Sequence, residues 1–89
     1  MDPTTRLQRS PNATFQVVAD EAILIHLQTG VYYSLNEVGT AFWQLLDGQH
    51  SLDDCAAHIA AEYSAPVETV LADLDELAGE LAKEGLITA

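Results

Sequence analysis

The side chains best suited to metal binding or nucleophilic chemistry are Cys55 and three histidines, His26, His50 and His58. Cys55 and His58 lie one helical turn apart and could share an ion. A structural zinc site needs four ligands, however, and a catalytic one needs three plus water. His26 and His50 fall in a predicted strand and a predicted loop, without paired spacing. Because Cys55 lies on an apolar helical stripe, we expect it to fill the core, and we predict no metal and no other cofactor.

Carboxylates are the other abundant chemical group. Asp73 and Glu76 lie on one predicted helix, where two carboxylates become a catalytic pair only if a pocket perturbs one of them. The sequence has no glycine-rich phosphate loop, no GxSxG and no HExxH. We therefore predict no catalytic residues and a protein that is not an enzyme.

The charge balance narrows the range of partners. Fourteen Asp and Glu stand against three Lys and Arg, which gives the 89-residue chain a formal net charge of −11. Nucleic acids and anionic membranes bind proteins largely through cations, so we predict neither as a partner and favour a basic peptide or enzyme surface. A single cysteine fits a reducing compartment. The first residues lack the apolar core of a signal peptide, and we predict a cytoplasmic protein.

The chain is expected to fold as one domain over residues 14–89, after a flexible tail over residues 1–13 that holds two prolines and both arginines. The segments FQVVA, AILIHLQ and VYYSL predict three antiparallel strands joined by tight turns. The third strand carries Val31 and Tyr33 on one face, with Tyr32 and Ser34 on the other. Either both faces are covered by the fold, or one face and its edge await a partner.

Three helices are predicted to follow the strands, which makes the fold α+β. Asn36 is expected to cap the first helix, and Gly48 to end it. Ser51 caps the second, and Pro66 opens a third that ends at Gly85. Apolar positions of the third helix cover an arc of about 140°. Its other side carries the acidic residues Asp73, Glu76, Glu80 and Glu84. Such a helix can pack on its own core along one part and border a groove along another.

These segments together resemble a known family. The run TGVYYSLNEVGTAFWQLLDG, the start SLDD of the second helix and the closing VLADLDELAGELAKEGLI resemble PqqD-like proteins over about residues 15 to 87. Members of this family are small peptide-binding domains called RiPP recognition elements, with a winged helix-turn-helix fold. The stretch LQTGVYYSLN is most similar to the stand-alone elements of lasso-peptide clusters, whose companion enzymes are a leader peptidase and a cyclase.

The resemblance implies a non-catalytic protein that binds the leader region of a ribosomally synthesised precursor peptide and presents it to modifying enzymes. The leader is expected to add as a strand beside the third predicted strand and to lie against the third helix. Trp43 matches a position expected in the core, and one tyrosine of the Tyr32–Tyr33 pair is also expected there. The implied leader-binding residues are Val31, Tyr32, Tyr33, Ser34, Leu35, Val70, Asp73, Leu74 and Leu77.

Three other functions remain open at this point. A PqqD-type chaperone for a radical SAM enzyme would use the same domain. A homo-oligomerising structural subunit, including a homodimer, could form if the open sheet edge pairs with a second copy or swaps strands. A winged-helix transcription factor is disfavoured because its recognition helix should be basic and the candidate helix here is acidic.

Overall fold

Two three-stranded antiparallel sheets and three helices make up the fold in the computed structural model, which describes residues 2–88. The predicted α+β class is confirmed; the winged helix-turn-helix likeness stays a prediction. In chain order the elements are β1 (Arg6–Arg9), β2 (Ala13–Val18), β3 (Glu21–His26), β4 (Tyr32–Leu35), α1 (Glu37–Gln44), β5 (Asp47–Ser51), α2 (Leu52–Tyr63), α3 (Val67–Lys83) and β6 (Ile87–Thr88).

The sheet β2-β3-β4 corresponds to the three predicted strands. Its first hairpin turns at Ala19 and Asp20, which both have positive φ, at 51° and 64°. Two consecutive residues with positive φ match the twist of the flanking strands. Side chains alternate along β3, so that Ala22 and Leu24 are buried on the inner face while Ile23 is exposed on the outer face.

The helix starts are set by the caps that the sequence predicts. The Asn36 side chain accepts a hydrogen bond from the Gly39 N–H at 2.8 Å. Ser51 and Asp54 form a reciprocal capping box. The first helix, however, ends at Gln44 rather than at Gly48, because the residues around Gly48 form β5 and pair with β1.

The second sheet, in the order β5-β1-β6, corrects the predicted flexible tail. Residues 1–13 contain β1, which pairs with β5 and β6, and Leu7 within it is fully buried. The Ser10 N–H also donates to the Leu86 carbonyl oxygen at 2.9 Å. Because β1 is paired and partly buried, the folded part of the chain begins before residue 14. The sequence gives little sign of β1, since it carries one inward apolar residue and its partner strands come from distant parts of the sequence.

The core lies between the inner face of the β2-β3-β4 sheet and the three helices. Trp43 and Phe42 are fully buried, as expected for Trp43. The Phe15 ring meets the Trp43 ring edge-on, with 5.6 Å between centroids. Cys55 is buried and unpaired, which confirms the prediction that it fills the core. The inner sheet face is therefore covered by the protein itself.

Candidate functional site

A groove of about 410 Å³ runs between β4 and α3. One wall is β4 with the start of α1, and the other is the middle of α3. Its floor is apolar, since Leu35 and Leu74 are buried and Leu77 is half-buried. The lining residues are Tyr33, Ser34, Leu35, Asn36, Val38, Gly39, Asp73, Leu74 and Leu77. A second depression, of about 450 Å³, lies beyond the end of β4 and shares Ser34, Leu35 and Asn36 with the first.

β4 is an edge strand on the side of this groove. It pairs with β3, and no other strand of the described residues pairs with it. The His26 N–H donates to the Val31 carbonyl oxygen at 2.9 Å just before β4 begins. Hydrogen-bonded and non-bonded pairs alternate in an antiparallel ladder, so the Tyr33–Leu24 pair is hydrogen-bonded too. The backbone groups of Tyr32 and Ser34 therefore point away from β3, along the open edge.

Contacts at both ends hold β4 in place. The ring Nδ1 of His26 accepts hydrogen bonds from the N–H groups of Gln28 and Thr29, each at 3.2 Å, within the turn that leads to β4. At the other end the Thr40 hydroxyl accepts from the Ala22 N–H at 2.8 Å and donates to the Leu35 carbonyl oxygen at 3.4 Å. The open edge is thus presented by a strand fixed to its sheet and to α1.

The two tyrosines of β4 point to opposite faces of the sheet. Tyr33 lines the groove and packs against the core. Tyr32 is 71% exposed and lies with Ile23 and Ile25 on the outer face. This distribution fits the expectation that one tyrosine of the pair belongs to the core and identifies it as Tyr33. The side chain of Tyr32 does not enter the groove, although its backbone lies at the open edge.

A hydrogen bond joins the two walls of the groove. The Tyr33 hydroxyl donates to a Glu80 carboxylate oxygen on α3. This hydrogen bond, with partial burial and the charges of Glu80, Glu84 and Glu76, raises the pKa of Tyr33 to about 12. The phenol is therefore neutral across the physiological range. Tyr33 acts as a fixed wall of the groove and as a hydrogen-bond donor.

The structure brings most of the predicted leader-binding residues together. Tyr33, Ser34, Leu35, Asp73, Leu74 and Leu77 line the same groove. The side chain of Val70 is in the core at 7% exposure, and Val31 uses its carbonyl oxygen to pair with β3. Asn36, Val38 and Gly39 complete the lining and were not predicted. The strand-to-helix junction around the Asn36 cap was the signal that could have identified them.

The residues considered for metal binding do not come together. Cys55 is buried while His58 is exposed, and burial raises the pKa of the Cys55 thiol to about 11. His50 Nδ1 contacts an Asp47 carboxylate oxygen at 2.9 Å. Across residues 2–88 no three His, Cys, Asp or Glu side chains form a group that could hold a metal ion. None of the helices in this range is long and apolar enough to cross a membrane.

The fold and the groove define a small α+β domain with a free strand edge beside an amphipathic helix. Residues 21–87 match the protein family described as "Coenzyme PQQ synthesis protein D (PqqD)". The chain therefore belongs to the PqqD family, which confirms the resemblance found in the sequence. It is 34% identical over 53 residues to the PqqA binding protein of Bradyrhizobium diazoefficiens, a match that covers 60% of this chain. The matched region is 52% of that relative, so the chain spans about half of its length.

Solved structures with the same fold include two complexes with leader peptides. TbiB1 in complex with the TbiA(beta) leader peptide is 34% identical, with a TM-score of 0.84 over 92% of this chain and 95% of that one. Lasso peptide synthetase B1 complexed with the leader peptide is 21% identical, with a TM-score of 0.81 over 94% and 99%. The heterocyclase TruD, at 17% identity and a TM-score of 0.63, is matched over 94% of this chain and 11% of its own. The last two likenesses concern the fold alone.

Proposed function

We propose that this protein binds the leader region of a ribosomally synthesised precursor peptide as an added β-strand and presents the peptide to modifying enzymes. The observation that carries this proposal is the open edge of β4 above an apolar groove. Strand addition uses such an edge for main-chain hydrogen bonds and uses neighbouring pockets for alternate side chains. The leader complex of the 34% identical TbiB1 supports the same class of ligand.

The register of β4 defines how the leader would bind. Its backbone would bond to the N–H and carbonyl groups of Tyr32 and Ser34. Leader side chains opposite Tyr33 and Leu35 would then point towards α3, against Leu74 and Leu77. Micromolar to nanomolar binding corresponds to about −8 to −12 kcal/mol, which a short strand with two or three anchored side chains can supply. In this arrangement the leader would contact β4 from Tyr32 to Leu35, and Asp73, Leu74 and Leu77 on α3.

We further propose a non-catalytic, cytoplasmic role beside a leader peptidase and a cyclase of lasso-peptide maturation. The similarity of the LQTGVYYSLN stretch to lasso-peptide elements favours these partners, and the TbiB1 likeness supports a leader-bound carrier. The PqqD-type alternative would replace them with a radical SAM enzyme. Co-purification of the tagged protein with each candidate enzyme, with and without precursor peptide, distinguishes the two: the true partner is retained, and the other passes through.

Fluorescence polarisation tests the leader-binding function directly. The probe is the fluorescein-labelled leader of the precursor peptide encoded beside the gene. We expect saturable binding at micromolar concentration or tighter, whereas the core segment of the same precursor and a scrambled leader bind at least tenfold more weakly. Absence of saturable binding, together with a dimer in sedimentation that ignores added leader, would overturn the proposal in favour of a homo-oligomerising subunit.

A further inference from the structure

The wall of the groove on α3 carries a row of carboxylates. The row lies on the side of α3 that faces β4 and consists of Asp73, Glu80 and Glu84 at helical spacing. Leu77 lies between Asp73 and Glu80, and Glu76 lies beside the row. Asp73 and Leu77 line the groove, while Glu80 accepts the Tyr33 hydrogen bond. The groove therefore combines an apolar floor with an acidic rim on a single helix.

Among the described residues, none of the cations forms an ion pair with this rim, although Lys83 lies on the same helix, between Glu80 and Glu84 in the sequence. Arg9 donates a hydrogen bond to the Trp43 carbonyl oxygen at 3.0 Å and lies over the ring of Phe15, which belongs to β2 at the other edge of the sheet from β4. Arg6 lies on β1 in the second sheet, where its backbone pairs with that of Ser51. Within residues 2–88, no Lys, Arg or His nitrogen lies within 4.0 Å of a rim carboxylate. A basic side chain of a ligand can therefore approach the rim carboxylates without displacing a described ion pair.

The geometry of strand addition shows where such a cation would lie. Side chains opposite Tyr33 and Leu35 point towards α3 and are two positions apart in an extended peptide. Glu80 contacts Tyr33 at one end of the groove, and Asp73, about two turns nearer the start of α3, lines the groove together with Leu35. Lysine and arginine suit both positions, because their stems pack on apolar surface while their charged heads reach outwards.

We propose, on the basis of the proposed function, that the groove selects leader peptides with a lysine or arginine at one of the two positions that face α3, and that the α3 carboxylates supply this selectivity. The partner is thus an extended peptide with a basic residue beside apolar ones. Acidic residues at the same positions are rejected by like-charge repulsion. Successive side chains of an extended peptide point to opposite faces. A lysine or arginine one residue away would therefore lie on the outer face, away from the α3 carboxylates, and would add little to the affinity.

The test compares peptide variants against protein variants. The probe is the labelled leader of the precursor encoded beside the gene, together with versions in which each position of the leader is replaced singly by Lys, Gln or Glu. We expect replacement of one basic residue by Glu to weaken binding by about fivefold, because an exposed ion pair contributes about 1.4-fold to fivefold and the new carboxylate adds repulsion to the lost attraction. Asp73→Lys or Glu80→Lys should then restore binding of that Glu peptide. Glu68→Lys, on the other flank of α3, is the charge-matched control and should bind every peptide as the wild type does.

Salt provides a second measurement. Binding of the basic probe should weaken as sodium chloride rises through the physiological range, and the Asp73→Asn, Glu80→Gln double variant should lose most of this dependence. Equal affinity for the Lys, Gln and Glu peptides would overturn charge selection while leaving peptide binding intact. Absence of binding to every peptide, including the leader encoded beside the gene, would instead refute the proposed function itself.

Discussion

Replacing Ser34 by proline tests the open edge of β4 with little disturbance of the fold. The Ser34 N–H points away from β3, so the β3–β4 ladder loses no hydrogen bond when proline removes it. Proline is tolerated on edge strands, and its fixed φ of about −65° lies within the extended region. The residue before it, Tyr33, is already in the extended conformation that a following proline requires.

The expected loss of affinity follows from the bond that is removed. One main-chain hydrogen bond contributes about 0.5–1.5 kcal/mol net, and the proline ring also occupies the space through which the leader backbone would approach. We expect leader affinity to fall by about tenfold, which corresponds to about 1.4 kcal/mol. Fluorescence polarisation with the labelled leader measures the affinity, and thermal unfolding followed by circular dichroism reports whether the variant is folded.

The matched control is Ser34→Ala, which keeps the N–H and removes only an exposed hydroxyl. Ser34 pairs with Ile23, so its side chain lies on the outer face and its backbone borders the groove. We expect Ser34→Ala to bind the leader as the wild type does. If Ser34→Pro is folded and binds with unchanged affinity, the leader does not bond to this N–H and strand addition at β4 is wrong. If Ser34→Ala weakens binding as much as Ser34→Pro, the side chain rather than the backbone carries the effect.

Three further predictions concern other parts of the molecule. Because the folded protein raises the pKa of Tyr33 from 10.0 to about 12, the stabilisation from its contact with Glu80 is fully present below pH 10 and is lost towards pH 12; an ultraviolet tyrosinate titration should lose its highest step in Tyr33→Phe. Burial raises the pKa of the Cys55 thiol to about 11, so iodoacetamide at neutral pH should modify Cys55 slowly until denaturant is added. Leu7→Ala should reduce the free energy of unfolding by about 2–5 kcal/mol in urea titrations, whereas a residue in a flexible tail would cost almost nothing.

The sheet β2-β3-β4 and the three helices could be predicted because their signals are local. The alternation of apolar and polar residues predicted the three strands, and the capping residues Asn36 and Ser51 predicted the starts of two helices. The second sheet could not be predicted in this way. β1 carries a single buried apolar residue, Leu7, and its partners β5 and β6 come from distant parts of the sequence. The glycine that suggested a helix end, Gly48, instead adopts a positive φ of 83° within β5.

The candidate site could be predicted only in part, for a related reason. Strand alternation separates Tyr32 from Tyr33, but it does not say which face is the inner one. That choice depends on the packing of Leu24 and Leu35 against the helices. Likewise, the sequence placed Asp73 and Glu80 on the side of α3 opposite the apolar arc, whereas the structure brings both to the border of the groove, where Leu77 lies between them.

An open strand edge has to accept its ligand without pairing to further copies of the same protein. Soluble proteins protect such edges with lysine, proline, bulges or a cover. β4 has none of the first three, because YYSL contains no charge or proline and its register with β3 is unbroken. The α3 carboxylates can take over this role. Edge-to-edge pairing of two copies would bring two chains of net charge −11 together, whereas a basic leader is attracted by the same charge. The acidic rim that would select the peptide thus also disfavours self-association.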